Sequence, residues 1–407
     1  MITVTEGLRR TDQGIRKESE PKASIGFLGP VGTFTQEITI TLQQRPEYEA
    51  LMPKEYKSIK DIFDAVDERE ISYGVVPLIN TTDGHISDTM QGFLTHENIR
   101  ISAEEALQVK LYAYKRPDAE PRIRASKSTA IRQCENNARV LFPNCTQSLA
   151  VESTALGVQM SANDPSILGI GSEHAAEALG LKDKLVRTQN SIEDNPNNAT
   201  TFVVITRSAE VKPPSGNDKT SFMMDVPDRP GGLYAILDEF NSKGVNLNKI
   251  KSLRRADGKI NFFVSIDGHE SNPVVGETIN LLESVVSRKL GSYPKAKFSP
   301  AESANQPNID NAIDRIRREV ENGDVVDPDE KVILFTLKDQ PGALANVLKI
   351  FEEVNLTRID SQPSGNFEEI IFYLAYKRNG IKNESELMEK LAEKCIQTVV
   401  VKKGLTN

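Results

Sequence analysis

Three short loops carry the side chains most able to do chemistry. Gly29-Pro30-Val31-Gly32-Thr33-Phe34-Thr35 follows an apolar run, Pro77-Leu78-Ile79-Asn80-Thr81-Thr82-Asp83-Gly84 follows another, and Asp194-Asn195-Pro196-Asn197-Asn198-Ala199-Thr200-Thr201-Phe202 leads into a third. Hydroxyls and amides dominate, so the chemistry on offer is hydrogen bonding by neutral groups. The first loop and the cluster Ser126, Ser128 and Thr129 both read as helix starts. Unpaired N–H groups and the positive end of the helix dipole gather there and bind a carboxylate without an arginine. His85 follows Gly84 and can titrate near neutrality, but with His96, His174 and His269 it shows no metal-ligand spacing, so no metal or cofactor is expected. Cys134 falls on an apolar helical face and reads as buried and inert.

Such loops need strands to end on. Apolar runs at 25–29, 73–78, 109–114, 166–171 and 201–206 read as short strands, with helical patterns such as 58–67 and 128–141 between them. The alternation predicts an α/β domain with a largely parallel sheet and its chemistry at strand C-termini. The length of 407 residues exceeds one ordinary domain. Two polar stretches divide it: EVKPPSGNDK at 210–219, and 299–330, within which 309–320 has apolar residues at helical spacing. The expected organisation is a disordered tail at 1–23, domains at 24–208, 219–297 and 330–404, and a linker with a short helix at 298–329.

Composition narrows the function. The 50 basic and 58 acidic residues leave a net charge of −8, with a pI near 5.4, which argues against nucleic acid. No apolar run approaches the roughly 18 residues that span a bilayer. Three cysteines without a CxxC pair fit a reducing, cytoplasmic compartment.

The last two domains repeat one another. PGGLYAILDEFNSKGVNLNKIKS starts at Pro230 and PGALANVLKIFEEVNLTRIDS at Pro341, an offset of 341 − 230 = 111 that falls to 355 − 246 = 109 at Asn246 and Asn355. Leu233, Ile236, Leu237 and Phe240, like Leu344, Val347, Leu348 and Phe351, fall at i, i+3, i+4 and i+7, so each helix buries one face. Each repeat therefore reads as a ferredoxin-like α+β sandwich.

In this order, the three loops resemble prephenate dehydratase. That family has a GPxGTFS-like start, a Pro-x-Glu-Asn-Ser loop followed by glycine, an Asn-x-Thr-Arg-Phe signature, and then a regulatory ACT domain. The resemblance covers about 24–297, and 330–404 looks like an additional ACT domain. It implies a two-lobed, periplasmic-binding-protein-like dehydratase domain followed by two ferredoxin-like ACT domains. It also implies conversion of prephenate to phenylpyruvate by coupled loss of carbon dioxide and the ring hydroxyl. By the same resemblance, Thr200 contacts and protonates the leaving hydroxyl, with Asn80 and Thr81 as further catalytic residues. Gly32, Thr33, Phe34, Thr201, Phe202, Ser126 and Lys127 are the expected substrate-binding residues.

The sequence departs from that pattern in places. Thr201 replaces the signature arginine and Ile79 the loop glutamate, while Ser126-Lys127-Ser128-Thr129 stands for Ser-His-Pro-Gln, with Lys127 a candidate for lost positive charge. These departures, with the altered Lys251 to Arg254 segment, favour a second reading, a non-catalytic sensor; a third is a decarboxylase that retains the hydroxyl, which needs only weaker assistance to the leaving group and is opposed by the retained Thr200. Phenylalanine-sensing ACT domains carry Gly-Ala-Leu and Ile-Glu-Ser-Arg-Pro. The first repeat has Gly231, Gly232 and Leu233 but then Ile250-Lys251-Ser252-Leu253-Arg254. The second keeps Gly342, Ala343 and Leu344, then Asp360 and Ser361, with Gln362 for arginine, and is the better expected effector site. The expected partners are prephenate, L-phenylalanine or a related amino acid, and a second copy of the chain through the ACT domains.

Overall fold

In a computed structural model the apolar runs become strands of three sheets, numbered here along the chain. The structure describes residues 23–207, 212–255, 257–296, 313, 330–364, 368–377 and 383–401. The tail expected at 1–23 and the linker helix expected within 298–329 lie outside the described residues, save for positions 23 and 313.

The first lobe is built on β1 (Ser24–Leu28), β2 (Met52–Tyr56), β3 (Tyr73–Asn80), β4 (Gly84–His85), β5 (Arg100–Gln108) and β11 (Ala199–Thr206), ordered β2-β1-β3-β11-β5 with β4 beside β3. The second holds β6 (Tyr112–Lys115), β7 (Ile123–Ser126), β8 (Gln147–Ala150), β9 (Ile167–Gly171) and β10 (Val186–Arg187), ordered β10-β6-β9-β7-β8. Both sheets are more mixed than the alternation predicted. β1 is parallel to β2 and β3, and β7 to β8 and β9, but β11 is antiparallel to β3 and β5, and β6 to β9 and β10. The chain leaves the first lobe after β5 and returns on β11, so the returning strand enters the sheet reversed. Two crossings join the lobes, an arrangement that permits hinged closure over a ligand.

The rest of the chain forms one eight-stranded sheet. β12 (Asp218–Asp225), β13 (Leu247–Arg254), β14 (Ile260–Asp267) and β15 (Val286–Pro294) make one β-α-β-β-α-β unit, with helices Gly232–Ser242 and Pro273–Leu281. β16 (Glu330–Lys338), β17 (Leu356–Pro363), β18 (Glu369–Lys377) and β19 (Gln397–Val401) make the other, with helices Ala343–Leu348 and Glu384–Lys394. The order β15-β12-β14-β13-β17-β18-β16-β19 joins them edge to edge through antiparallel β13 and β17. Equivalent serines close the seam: Ser252 accepts the Ile359 N–H (3.1 Å), while Ser361 accepts the Ile250 N–H (2.9 Å) and donates to the Ile250 carbonyl (3.2 Å). Lys251 pairs with Asp360 across it.

Helices cover one face of this sheet, where Phe222, Phe240, Phe335 and Phe351 share a core spanning both units. The other face of the first unit packs on the first lobe: Met223, Leu253, Phe263 and Tyr293 join Phe63, Phe93, Ile101, Val203 and Ile205 in one apolar cluster. Each such side chain contributes about 1.5–3 kcal/mol, so the attachment is a core rather than a loose contact. Gly291 permits the approach, since a Cβ there would lie 2.7 Å from the Ile101 carbonyl oxygen.

Candidate active site

Strand β3 ends at Asn80, which stands opposite Thr200 on β11. The Asn80 side-chain oxygen accepts the N–H groups of Thr82 (2.8 Å) and Asp83 (2.9 Å), folding the loop back on itself. Its amide nitrogen donates to Thr200 Oγ1 (3.0 Å), Asn198 Oδ1 (2.8 Å) and the Ala199 carbonyl (3.1 Å). Thr81 clamps the same segment, accepting the Ala199 N–H (2.9 Å) and donating to the Asn197 carbonyl (3.2 Å). Asn80, Thr81 and Thr200 are all buried. Because Thr200 Oγ1 accepts from Asn80 and has no acceptor among the described residues, its proton is free to be donated. That is the property required of a hydroxyl that assists a leaving group.

The loop also reaches the second lobe. Asp83 accepts hydrogen bonds from Gln133 (2.8 Å) and Arg132 (3.4 Å), while Ser172 donates to the Gly32 carbonyl (3.2 Å). Asp194, on the return crossing, accepts the N–H groups of Asn136 (3.0 Å) and Asn137 (2.9 Å). Asn198, Asp83 and Gln133 were not among the expected site residues. The motif containing Asn198 was the available signal; for Gln133 the sequence carried none.

Several expected ligand contacts also make bonds within the protein. Thr33 donates to the Leu28 carbonyl (2.9 Å), and Gly32, at φ 89°, donates its N–H to Gln36 (2.7 Å), so this loop is internally satisfied. Phe34 packs between the cores of the two lobes. Phe202 is buried in the first-lobe core, and Ser126 is buried with its hydroxyl on the Ile170 carbonyl (2.6 Å). Lys127 is exposed at the start of helix Ser128–Gln133. Burial pushes the Cys134 thiol up, so it is not a nucleophile at neutral pH. Among the described residues, no three His, Cys, Asp or Glu side chains converge as a metal site.

Thr201 faces away from Thr200. Neighbours on a strand point to opposite faces. Thr200 shares its face with Phe202, whereas Thr201, with its cross-strand partner Ile79, lines a cavity of about 760 Å³ between the first lobe and the eight-stranded sheet. Beside them Glu104 binds Lys219 (2.7 Å) and Lys249 (3.2 Å). Burial pushes the Glu104 carboxyl up, but the two ammonium groups outweigh it and hold the pKa at about 2. Thr201 and Ile79, the two residues that depart from the resemblance, are thus cross-strand neighbours on the wall of this cavity.

The effector residues also separate. Gly231, Gly232 and Leu233 line a cavity of about 620 Å³ completed by Phe351, Val354 and Asn355 of the second unit. At the equivalent Gly342-Ala343-Leu344 turn, Asn241 fills the space, with its Oδ1 1.9 Å from where a Gly342 Cβ would stand. Asp360 and Ser361 belong to the seam. One cavity thus opens at the first repeat's turn, while Ser361, with Asp339 and Gln340 just before Gly342, lines the cavity of about 760 Å³.

A family model described as prephenate dehydratase matches residues 25–210. The bifunctional chorismate mutase/prephenate dehydratase of Stutzerimonas stutzeri is 30% identical over 285 residues, covering 68% of this chain and 74% of that protein. The prephenate dehydratase of Methanocaldococcus jannaschii is 32% identical over 244 residues, covering 58% of this chain and 86% of that protein. Among solved structures, a prephenate dehydratase from Arthrobacter aurescens in complex with L-Phe matches with a TM-score of 0.61 at 26% identity, covering 74% of this chain and 98% of that one. These matches place the two-lobed domain, with its buried hydroxyl and amide network and the paired βαββαβ sheet that follows it, among lyases. The chain belongs to the prephenate dehydratase family.

Proposed function

We propose that this chain converts prephenate to phenylpyruvate as a step of L-phenylalanine biosynthesis, with Thr200 as the proton donor to the leaving hydroxyl. The ring carboxylate leaves as carbon dioxide, its electron pair aromatises the ring, and the ring C–O bond breaks. The hydroxyl departs as water on gaining the Thr200 proton, which solvent replaces, so one proton is consumed per turnover. The observation that carries the reading is the Asn80–Thr200 bond, which fixes the Thr200 oxygen and leaves its proton available. The Asn80–Thr200 bond, which keeps a proton donor for the leaving hydroxyl, supports the dehydratase over the sensor and decarboxylase readings.

The βαββαβ pair acts as two ACT domains. An aromatic amino acid, L-phenylalanine foremost, occupies the cavity at Gly231–Leu233, where Leu348, Phe351 and Leu356 receive a ring and Asp228 and Arg358 flank a zwitterion. Because β13 and β17 pair within the chain, a homo-oligomer formed by these sheets uses the outer strands β15 or β19. No helix among the described residues is long and apolar enough to cross a membrane, and three unpaired cysteines support a cytoplasmic setting.

The test is to mix purified protein with prephenate at neutral pH and follow products by NMR. Phenylpyruvate from the wild type and none from Thr200→Ala is expected. A ring-hydroxylated product, or untouched prephenate from folded protein, overturns the reading.

A further inference from the structure

The two repeats are alike in sequence but not at the seam. Two offsets relate them, 351 − 240 = 111 through the helix and 356 − 247 = 109 through the next strand. Leu348, Phe351 and Leu356 line the Gly231 cavity, where an apolar side chain can sit. None of their counterparts Leu237, Phe240 and Leu247 lines the cavity of about 760 Å³ that reaches the second turn. The turns differ as well. A Cβ at Gly231 would stand 2.9 Å from the Glu352 carbonyl oxygen, and Glu352 itself is exposed. Its counterpart Asn241 (352 − 241 = 111) instead brings its side-chain oxygen to 1.9 Å from where a Gly342 Cβ would stand.

The polar groups diverge in the same sense. Arg358 rests on the Tyr373 ring and lies 3.3 Å from Asp360, in the wall of the Gly231 cavity. Its counterpart Lys249 (358 − 249 = 109) is buried and reaches away from the sheet to Glu104 of the first lobe (3.2 Å). Asn355 donates to Asp228 at 3.3 Å, whereas its counterpart Asn246 donates to both Asp339 (2.8 Å) and Asp267 (3.1 Å). Asp267 also holds Lys295 (2.6 Å). The larger cavity is therefore rich in groups paired with one another, and Ile79, Thr81, Glu104 and Thr201 of the catalytic lobe form one of its walls. Polar groups already paired offer a ligand little net gain, since each new bond replaces an old one.

We propose that the ACT pair is asymmetric: it takes one aromatic amino acid per chain, at the Gly231 turn, while the equivalent position at the second repeat docks the catalytic lobe, with Glu104 holding the cation, Lys249, that stands where Arg358 stands at the first. The inference rests on the effector reading above and adds to it the number of sites and what takes the second position. Asn241 keeps a ligand out of the Gly342 turn. Duplication within one chain permits this, because two identical domains paired by a two-fold axis carry identical turns, whereas two repeats are free to differ.

Calorimetric titration of the full chain with L-phenylalanine counts the sites. One molecule bound per chain is expected at saturation. Losing a charge-assisted bond to the ligand should weaken binding about tenfold or more in Arg358→Met, while Lys249→Met stays within about threefold of wild type at the same stoichiometry. Should Lys249→Met fail to fold, Asn246→Ala takes its place, since it removes the side-chain bonds to Asp339 and Asp267 at the second turn and leaves the Glu104 pairs intact. Two molecules per chain, or a loss in folded Lys249→Met or Asn246→Ala as large as that in Arg358→Met, overturns the asymmetry and leaves the effector reading standing. Binding that Arg358→Met does not weaken overturns the placement at the Gly231 turn. No binding by folded wild type at millimolar ligand overturns the effector reading, and this inference with it.

Discussion

Thr200 and Thr201 are adjacent and chemically alike, yet they face different environments. Thr200 belongs to a buried network of neutral groups in which Asn80 uses both ends of its amide. Thr201 looks across a cavity at a charged cluster that ties the catalytic lobe to the regulatory sheet. A strand's two faces can thus divide chemistry from attachment with no sequence separation between them. The contrast also shows why a departure at one signature position need not disable the other.

The sharpest way to break this contrast is Thr200→Ala. Removing a positioned proton donor costs about 10²- to 10⁴-fold in rate, so kcat should fall by that factor while circular dichroism and melting stay near wild type. A fall below threefold would mean that the proton comes from elsewhere.

On the opposite face, Glu104→Gln should act on stability more than on chemistry. It leaves the buried Lys249 and the largely enclosed Lys219 without the Glu104 counter-charge, a loss of about 3–5 kcal/mol read from denaturant unfolding. The pH dependence has a defined sign. The folded carboxyl titrates at about 2 against a reference of 4.5, so its contribution is complete above 4.5 and is lost as pH falls towards 2. The variant should lack that acid-side slope, and an unchanged slope would show that the cluster does not hold the interface.

How far the sequence could show this depended on distance along the chain. Leu233, Ile236, Leu237 and Phe240 are buried as their spacing predicted, and so are Leu344, Val347, Leu348 and Phe351, because helix periodicity is a local property. The 109-residue offset shared by Asn246 and Asn355 also relates Ser252 and Ser361 at the seam, 361 − 252 = 109, although nothing in the repeat announced that the units pair within one chain. Asn80, Thr81 and Thr200 were legible as motifs. Which face of β11 meets the cleft was not, since alternation gives two faces without saying what covers each. The Glu104 cluster joins residues more than a hundred positions apart, and Asn241 at the Gly342 turn is a contact between repeats. Neither leaves a local trace.

Asn80→Ala probes the network one residue from the reacting hydroxyl. Three side-chain donor bonds and the loop's turn are lost, and with about 1 kcal/mol per bond only partly recovered by water, kcat should drop about 10- to 100-fold. KM should move less than kcat, because the amide fixes Thr200 rather than prephenate. A change confined to KM would instead make Asn80 a substrate-binding group.

The smallest effect belongs to the face away from the cleft. If Ile79 and Thr201 stand where a glutamate and an arginine pair across the strands, then Thr201→Arg alone places a third cation beside Lys219 and Lys249 and should destabilise the fold without raising turnover. Adding Ile79→Glu should recover roughly 0.2–1 kcal/mol, the range of a cross-strand pair, read as the coupling in a double-mutant cycle. Turnover in the double variant should stay within about threefold of wild type, because Thr200 and Asn80 remain on the opposite face. A tenfold gain in kcat from Thr201→Arg alone would show that the residue acts on substrate after all, and the division between the two faces of β11 would have to be abandoned.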